Sequence, residues 1–500
     1  MHAVIAALAR HAASRPAHPA LSDGNHSIPY AGVYAAVTRA ALGMRGTGAA
    51  TVALALDNGP AWLILDLATL AARLRCVPVP GFFSAGQQTH LMADAGAGLL
   101  ITDRPAHYAE LLAGSGLPFT RLTPIDIAGA RVARFLIQHD AHGVPVHTAK
   151  ITYTSGTTGA PKGACLDGNA LARVAHSLMQ AVGLRADDRH LSLLPLATLL
   201  ENVGVYATLL AGGTCIAPAL AAVGMRGAAE LDCDRLVAQL AASGATTAIV
   251  TPELLRGTLD RIEAGGPRPE ALRFLAVGGA PLPGALLDRA AACAVPAYQG
   301  YGLSECGSVV TLNTPAGWRH GSVGRPLPHA RITIAEDGEI HVAGATLLGY
   351  CGTTDRPSDP WPTGDVGRLD EGYLYLTGRK KNIFITAFGR NVSPEWVEAE
   401  LTAVPAIRQA WVHGEARPWN SAVITAAERC GRDEVNAAVE RVNQALPDYA
   451  RITRWIFSER AFSFAGGELT ANGRLRRETL VARYGARLDQ LYLEHSNHVL

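Results

Sequence analysis

Short apolar runs alternate with longer Ala/Leu-rich stretches over the first half of the chain. TVALAL (51–56) and AGLLITD (97–103) have the length and composition of buried strands, whereas AWLILDLATLAARL (61–74) has the length of a helix. The same alternation continues with TTAIVTP (246–252) and RFLAVGGAPLP (273–283), which end in Thr, Gly and Pro residues typical of turns. The pattern predicts an α/β fold in which helices flank largely parallel sheets.

The pattern changes between about residues 320 and 378, where short alternating segments are separated by turns. RITIAEDGEIHVAG and GDVGRLDEGYLYLTG are typical of a small antiparallel sheet or barrel. After GRKK (378–381), charged helical segments such as PEWVEAELTAVP and RDEVNAAVERVNQAL predict a mixed α+β tail. We therefore expect a domain boundary near Lys381.

Composition narrows the class of protein. The 500 residues include 44 Lys+Arg and 43 Asp+Glu, and 48% of positions are hydrophobic, so the chain is neither disordered nor basic enough to have nucleic acid as its main partner. Eight cysteines without a C-x-x-C pair suggest neither a zinc ribbon nor a disulfide framework. The most apolar stretch is interrupted by Asp66 and is too short to span a bilayer. We expect a cytoplasmic protein without a transmembrane segment.

The segment ITYTSGTTGAPKG (151–163) carries the most specific chemistry. A strand runs into a loop of hydroxyl and glycine residues that ends in Lys162, so backbone N–H groups, hydroxyls and one positive charge can surround an anion. It is not a Walker A loop, because Pro161 stands where the second glycine would be. The segment predicts a phosphate-binding loop formed by Thr154, Ser155, Gly156, Thr157, Thr158 and Gly159.

This segment resembles the phosphate loop of the adenylate-forming superfamily, which comprises acyl-CoA synthetases, peptide-synthetase adenylation domains and beetle luciferases. Further matches follow in the family's order over nearly the whole chain: GGAPLP (278–283), YGLSE (301–305), GSVGRP (321–326), GEIHVAGATLLGY (338–350), TGD (363–365), GRKKNIFITAFGRNVSP (378–394) and LTANGRL (469–475). The resemblance implies a large N-terminal domain (1–380) with a barrel-like part, and a small mobile α+β lid domain (381–500).

The implied reaction is ATP-dependent activation of a carboxylic acid through an acyl-adenylate. A carboxylate attacks the α-phosphorus, so the phosphate charge must be neutralised and the nucleophile held in line. The positive charge of Lys162 can neutralise the phosphate charge. Ser304 places a hydroxyl to touch the α-phosphate, and Glu305, together with Thr158, is suited to Mg²⁺.

The resemblance also assigns nucleotide contacts outside the phosphate loop. It implies that Tyr301 lies against the adenine and that Asp365 accepts both ribose hydroxyls with Arg379 beside it. The remaining nucleotide-binding positions implied by the motifs are Gly279, Ala280 and Gly302.

The hinge of the family corresponds here to Lys381. Two different chemical steps can share one active site if a small domain exchanges the faces it presents. Gly389 then lies in the face expected to line a channel for the pantetheine thiol, where the absence of a side chain matters.

Two positions depart from the family pattern. Arg474 stands in place of the adenylation lysine, and a planar guanidinium is not equivalent to a compact ammonium group. Thr198 stands where many fatty-acyl members carry a histidine, which removes one contact on the carboxylate side.

The acyl pocket is expected along LPLATLLENVGVYATLLAGG (194–213), which resembles long-chain acyl-CoA synthetases. Its small and apolar residues suit an alkyl tunnel, although they are equally compatible with packing of a helix on the sheet. The predicted pocket residues are Thr198, Asn202, Gly204 and Val205.

The sequence therefore predicts an AMP-forming acid–thiol ligase that uses ATP and Mg²⁺ and passes a medium- or long-chain fatty acid to coenzyme A, with Lys162, Glu305 and Arg474 as catalytic residues. Two alternatives stay open. The acyl group could go to the phosphopantetheine of an acyl carrier protein or to another acceptor. Alternatively, Arg474 and Thr198 could mark an adenylation-impaired protein that binds nucleotide or acyl-adenylate.

Overall fold

The computed structural model describes residues 2–138, 143–154, 161–226, 230–353, 357–470 and 473–496. Its α-helices are α1 (Ala3–Ser14), α2 (Tyr30–Arg45), α3 (Pro60–Ala72), α4 (Ala85–Asp94), α5 (Pro105–Ser115), α6 (Gly168–Val182), α7 (Leu199–Ala211), α8 (Cys233–Ala242), α9 (Pro252–Glu263), α10 (Gly284–Ala292), α11 (Pro394–Ala403), α12 (Arg432–Ala445) and α13 (Arg477–Ser496).

The strands of the first half are β1 (Pro19–Ser22), β2 (Ser27–Pro29), β3 (Thr51–Ala55), β4 (Arg75–Pro78), β5 (Leu99–Thr102), β6 (Phe119–Ile127), β7 (Ala130–Ile137), β8 (Thr148–Thr154), β9 (Lys162–Asp167), β10 (Arg189–Leu191), β11 (Thr214–Ile216), β12 (Met225–Arg226), β13 (Glu230–Leu231) and β14 (Thr247–Val250). Those of the second half are β15 (Phe274–Val277), β16 (Ala297–Tyr301), β17 (Thr311–Leu312), β18 (Arg325–Pro326), β19 (Ala330–Ile334), β20 (Glu339–Gly344), β21 (Gly349–Tyr350), β22 (Trp361–Asp370), β23 (Tyr373–Arg379), β24 (Phe384–Ile385), β25 (Asn391–Val392), β26 (Ile407–His413), β27 (Asn420–Ala426) and β28 (Ile452–Phe457).

Two large sheets contain most of the strands within the first 350 residues. One has the order β21-β9-β8-β4-β3-β5-β7-β6 and the other β18-β17-β16-β15-β14-β10-β11-β1-β2. Their central strands are parallel, as the alternating pattern predicts, whereas β9, β21, β6 and β7 pair antiparallel at the edges of the first sheet. The phosphate-loop segment therefore lies in an antiparallel hairpin, β8–β9, next to a parallel centre.

Five helices, α1, α2, α3, α6 and α7, lie between the two sheets. Alternate residues of β3 face opposite sides, so that Val52 and Leu54 contact this central layer while Ala53 and Ala55 contact α4 and α5 on the outside. Helices α8, α9 and α10 cover the outer face of the second sheet. Helix α3 is buried along nearly its whole length, as expected for a helix that is apolar on all sides.

A buried polar cluster joins the central layer to the phosphate-loop strand. Asp66 of α3 accepts hydrogen bonds from Lys150 Nζ of β8 (2.8 Å) and from Tyr206 Oη (2.6 Å) and Asn202 Nδ2 (3.1 Å) of α7. Lys150 also donates to Tyr206 and Asn202. The Asp66 and Lys150 side chains are 0% and 1% exposed, so the charge that interrupts the apolar α3 segment is paired inside the protein.

The predicted change of pattern after residue 320 is confirmed by a four-stranded antiparallel sheet in the order β19-β20-β22-β23. Pairs such as Ile332↔Val342 fix the register of β19 and β20. In β22 and β23 Asp365 lies directly opposite Arg379, so this register brings an acid and a base into contact.

The C-terminal residues form an α+β unit. The sheet β26-β27-β28 packs against α11 and α12 around Val397 and Val439, and α13 covers its other face through Tyr484. The predicted fold class, large helix-flanked sheets with a small antiparallel part and a small α+β part, is confirmed. None of the helices within the described residues combines the length and apolarity needed to cross a membrane.

Candidate active site

The phosphate-loop hairpin borders the candidate site. Thr154, the last residue of β8, lies opposite Lys162, the first residue of β9, so strand pairing holds these two residues beside each other. The predicted phosphate contacts Ser155, Gly156, Thr157, Thr158 and Gly159 lie outside the described residues. The Lys162 ammonium group lies 5.8 Å from the centre of the Tyr350 ring, within the range of a cation–π contact.

Gly163, the residue after Lys162, is tightly packed between two side chains. A Cβ atom at this position would lie 2.7 Å from Tyr153 Cζ and 3.0 Å from Cys351 Sγ. The Tyr153 ring is held in place by its hydroxyl, which donates to Asp94 (2.7 Å). Only glycine lets β9 pass between these side chains, and this close packing fixes the backbone that carries Lys162.

Tyr301, Asp365 and Arg379 form a connected group at the end of β16. The Tyr301 hydroxyl donates to Asp365 Oδ2 (2.9 Å) and Arg379 Nε donates to Asp365 Oδ1 (2.6 Å). Burial, reinforced by the Asp365 charge, raises the pKa of Tyr301, so the phenol stays a neutral donor. The structure thus brings together the residues predicted to hold adenine and ribose.

The chain turns sharply after Tyr301. A Cβ atom on Gly302 would lie 1.6 Å from the carbonyl oxygen of Ser308, so the turn requires glycine. A 3₁₀ turn, Ser304–Cys306, follows, and Glu305 Oε1 accepts a hydrogen bond from the Tyr350 hydroxyl (3.0 Å).

Glu305 suits the predicted magnesium ion. It is a half-buried carboxylate, and Mg²⁺ typically takes one or two protein carboxylates, with phosphate oxygens and water completing its shell. Among the residues that the structure describes, three or more acidic, histidine or cysteine groups do not converge in a site able to hold a metal. A single carboxylate that shares the ion with a bound phosphate therefore fits better than an all-protein cage.

Arg474 extends from the C-terminal part to the large sheets. Thr470 and Arg474 close a turn through N–H···O contacts of 2.7 Å and 3.1 Å. The Arg474 guanidinium donates to the carbonyl oxygen of Gly279 (3.3 Å), in the turn that follows β15. Gly279 has φ +85°, and Ala280 follows it in the same turn, so the predicted nucleotide turn lies against the residue that replaces the family lysine.

Positive charges accumulate around this contact. Burial, and next the charges of Arg379 and Arg474, lower the pKa of Lys381. Cations that disfavour one another in this way are stabilised by a bound anion. A nucleotide phosphate would therefore offset the repulsion among Arg379, Lys381 and Arg474.

Lys381 follows a residue that is tied to the four-stranded antiparallel sheet. Lys380 Nζ contacts Asp337 Oδ2 (2.5 Å) and Glu339 Oε2 (2.8 Å) at the turn before β20. On the other side of Lys381, Asn382 donates to Glu395 in the first turn of α11. The predicted hinge residue thus lies between one anchor in each part of the chain.

Gly389 occupies a turn between β24 and β25 with φ +72°. Its neighbours Phe388 and Arg390 line a depression formed by residues of the C-terminal part alone, together with Trp419 and Tyr449. The predicted thiol channel beside Gly389 stays a prediction.

The predicted acyl-pocket residues make buried contacts in and around α7, and the alkyl tunnel stays a prediction. The Asn202 amide belongs to the buried Asp66 cluster, and Val205 lies in the central core. A Cβ atom on Gly204 would lie 2.6 Å from Ile249 Cδ1, so this glycine serves close packing of α7 on the second sheet. Thr198 is the N-cap residue that precedes α7, and its hydroxyl donates to the Pro195 carbonyl (2.7 Å). These contacts favour the packing interpretation of the segment.

Sequence reasoning missed one residue of this site. Tyr350 contacts both Lys162 and Glu305, and thereby connects the phosphate-loop hairpin to the 3₁₀ turn. Its only signal was its place at the end of the GEIHVAGATLLGY motif.

The α/β fold and the cations grouped beside Tyr301 and Asp365 define a class of protein, a two-part enzyme with a site suited to a nucleotide. The model of the AMP-binding enzyme family matches residues 8–350, and the model of the AMP-binding enzyme C-terminal domain matches residues 381–496. The chain belongs to the AMP-binding enzyme family, which confirms the predicted adenylate-forming class.

Relatives and solved structures agree with this membership. The chain is 28% identical to the long-chain-fatty-acid–CoA ligase FadD15 of Mycobacterium bovis, over 86% of each chain. It is 33% identical to a 2-succinylbenzoate–CoA ligase of Bacillus cereus, over 53% of this chain and 56% of that one. Its fold matches the anthranilate–CoA ligase AuaEII bound to anthranoyl-AMP, with a TM-score of 0.78, 17% identity and 96% of each chain covered. The predicted enzyme class, an acid–thiol ligase, agrees with these names.

Proposed function

We propose that the protein is an AMP-forming ligase that joins a carboxylic acid to coenzyme A through an acyl-adenylate. The observation that carries the proposal is the approach of Arg474, from the C-terminal part, to the Gly279 turn beside the Asp365–Arg379–Tyr301 group. These neighbouring residues provide a ribose acceptor, an adenine platform and a cation for phosphate. A fatty acid is our preferred substrate, supported by the similarity to a fatty-acid–CoA ligase over 86% of the chain.

The residues have distinct roles in the proposed reaction. Asp365 accepts the ribose hydroxyls while Arg379 holds the carboxylate in place, and Tyr301 provides a flat apolar face for the base. Lys162 and Arg474 neutralise charge on the phosphates, so that a carboxylate oxygen can attack the α-phosphorus while pyrophosphate leaves. A magnesium ion held by Glu305 would supply further charge neutralisation when bound.

The second half-reaction needs a different face of the C-terminal part. We infer a division into residues 1–380 and 381–500, with rotation at Lys381, so that the thiol of coenzyme A replaces Arg474 beside the adenylate. The thiol sulfur then attacks the acyl carbon and AMP leaves. The anchors on Lys380 and Asn382 support a pivot at this residue.

ATP–pyrophosphate exchange measured with a panel of fatty, aromatic and short-chain acids tests the proposal. We expect exchange with at least one acid class, and we expect Arg474→Ala to lower it by about 100-fold or more, as removal of a transition-state cation typically does. Arg476→Ala, an exposed arginine two residues away, is the matched control and should keep the rate. Thioester formation from a supplied acyl-adenylate should survive Arg474→Ala. Absence of exchange with every acid, in protein that binds ATP, would refute the proposal.

Arg474 also supports a second candidate, a binding protein with impaired adenylation. Restoring the family residue with Arg474→Lys separates the two. A large gain in exchange supports impairment, because the compact ammonium then does what the guanidinium cannot. A loss shows that Arg474 is the working residue.

A further inference from the structure

Two cysteines lie side by side at the edge of the phosphate-loop hairpin. Cys165 belongs to β9 and Cys351 follows β21, and their sulfur atoms are 3.6 Å apart. The register pairs Gly349 with Cys165, and the Cys351 N–H donates to the Gly163 carbonyl (2.9 Å). The strand pairing itself therefore holds the two thiols together.

The environment gives the two thiols different reactivity. The hydrogen bond from Cys165 lowers the pKa of Cys351, whereas the same contact and burial raise the pKa of Cys165. Cys351 is 8% exposed and Cys165 is 0% exposed. Cys351 is thus the less buried of the two residues, and its lowered pKa favours its thiolate over that of Cys165.

We propose that Cys165 and Cys351 form an oxidative modification site that hydrogen peroxide converts to a disulfide. The Cys351 thiolate attacks one peroxide oxygen and releases hydroxide, which leaves a sulfenic acid on Cys351. The Cys165 sulfur then attacks the Cys351 sulfur and displaces the oxygen as water. In sum, two thiols and one peroxide give one disulfide and two waters.

Formation of the bond must move the chain around the phosphate loop. A disulfide needs about 2.05 Å between sulfurs, which is about 1.5 Å less than the present separation. Cys351 Sγ lies against Gly163, the residue after Lys162, and the preceding Tyr350 contacts both Lys162 and Glu305. The shift is therefore transmitted to two predicted catalytic residues.

The effect on activity rests on the proposed function, whereas formation of the disulfide does not. A displacement of about 1 Å in a catalytic position costs about 100-fold in rate. We therefore expect oxidation to slow acyl-adenylate formation by about this factor, and dithiothreitol to restore it.

The full-length protein is treated with hydrogen peroxide, digested under non-reducing conditions and analysed by mass spectrometry. We expect a cross-linked peptide pair containing Cys165 and Cys351, with a loss of two hydrogens. Cys165→Ser, Cys351→Ser and, as a matched control, the half-buried Cys430→Ser are compared in ATP–pyrophosphate exchange. Peroxide should leave the exchange rate of Cys165→Ser and Cys351→Ser unchanged. It should slow exchange by Cys430→Ser as much as exchange by the wild-type protein.

Three results would overturn the inference. One is the absence of the cross-link at a peroxide dose that oxidises other cysteines. Another is a cross-linked protein with an unchanged exchange rate. The third is peroxide sensitivity that persists in both Cys165→Ser and Cys351→Ser. If no acid supports exchange at all, the proposed function fails while the cross-link result still decides the modification site.

Discussion

Replacement of Lys150 by methionine should destabilise the protein strongly. Methionine keeps the length of the side chain but removes the charge, which leaves Asp66 buried at 0% exposure without its cation. Breaking a buried ion pair by removing one partner costs about 3–5 kcal/mol. Because Tyr206 and Asn202 still donate to Asp66, we expect a loss near the lower limit, about 3 kcal/mol.

Urea unfolding at pH 7 measures this loss, with tryptophan fluorescence as the signal. The Trp62 ring lies 5.8 Å from Lys150 Nζ, so this region contributes to the signal of the chain's seven tryptophans. Lys380→Met is the matched control, because that lysine is half exposed and also contacts two carboxylates. Exposed pairs contribute about 0–1 kcal/mol.

A double variant provides the refutation. Asp66→Leu combined with Lys150→Met removes both charges, and a well-packed apolar pair is often as stable as a buried ion pair. We expect the double variant to lose less free energy of unfolding than the two single variants lose in total. If Lys150→Met costs no more than Lys380→Met, or if the two single losses simply add, Asp66 and Lys150 are not a coupled buried pair.

Two further predictions concern other carboxylates. Asp365→Asn weakens two hydrogen bonds to this side chain, one from Tyr301 and one from Arg379. We therefore expect the KM for ATP in exchange assays to rise between about 10- and 100-fold. Asp370 is exposed on the same strand, and Asp370→Asn should leave the KM for ATP unchanged. Burial raises the pKa of Glu398 to about 7 despite the charge of Arg477. The stability that Glu398 contributes is complete below about pH 4.5 and is lost as the pH rises through 7. Glu398→Gln should remove this slope from thermal unfolding between pH 5 and 8, and a slope that persists contradicts the assignment.

Local patterns predicted the elements of the fold well because strand and helix periods are local properties. The segments around Val52, Leu99 and Ile332 formed the expected strands, since alternation of apolar positions depends only on near neighbours. Asp66, in contrast, looked like an interruption of an apolar helix. Its partner Lys150 is 84 residues away along the chain, and only the packed structure shows that the two charges pair.

The site was predictable only as far as its motifs extend. Asp365 and Arg379 were assigned through resemblance, and the register of their two strands brings them into contact. Tyr350 and the Cys165–Cys351 pair depend on β21 joining β9, a contact between segments about 185 residues apart that no local pattern encodes. The substrate pocket was the least predictable part, because glycine suits both an open tunnel and close helix packing, as Gly204 shows.

The two anchors around Lys381 limit how the two parts of the chain can be arranged. Lys380 is held by Asp337 and Glu339, and Asn382 by Glu395, so a single residue separates the two fixed points. A free rigid body has six degrees of freedom, whereas one residue offers only two soft torsion angles. The rotation that we propose at Lys381 would therefore be restricted to a narrow family of orientations if it kept both anchors. One residue inserted beside Lys381 would double the number of soft torsions and widen the range of orientations open to the proposed rotation.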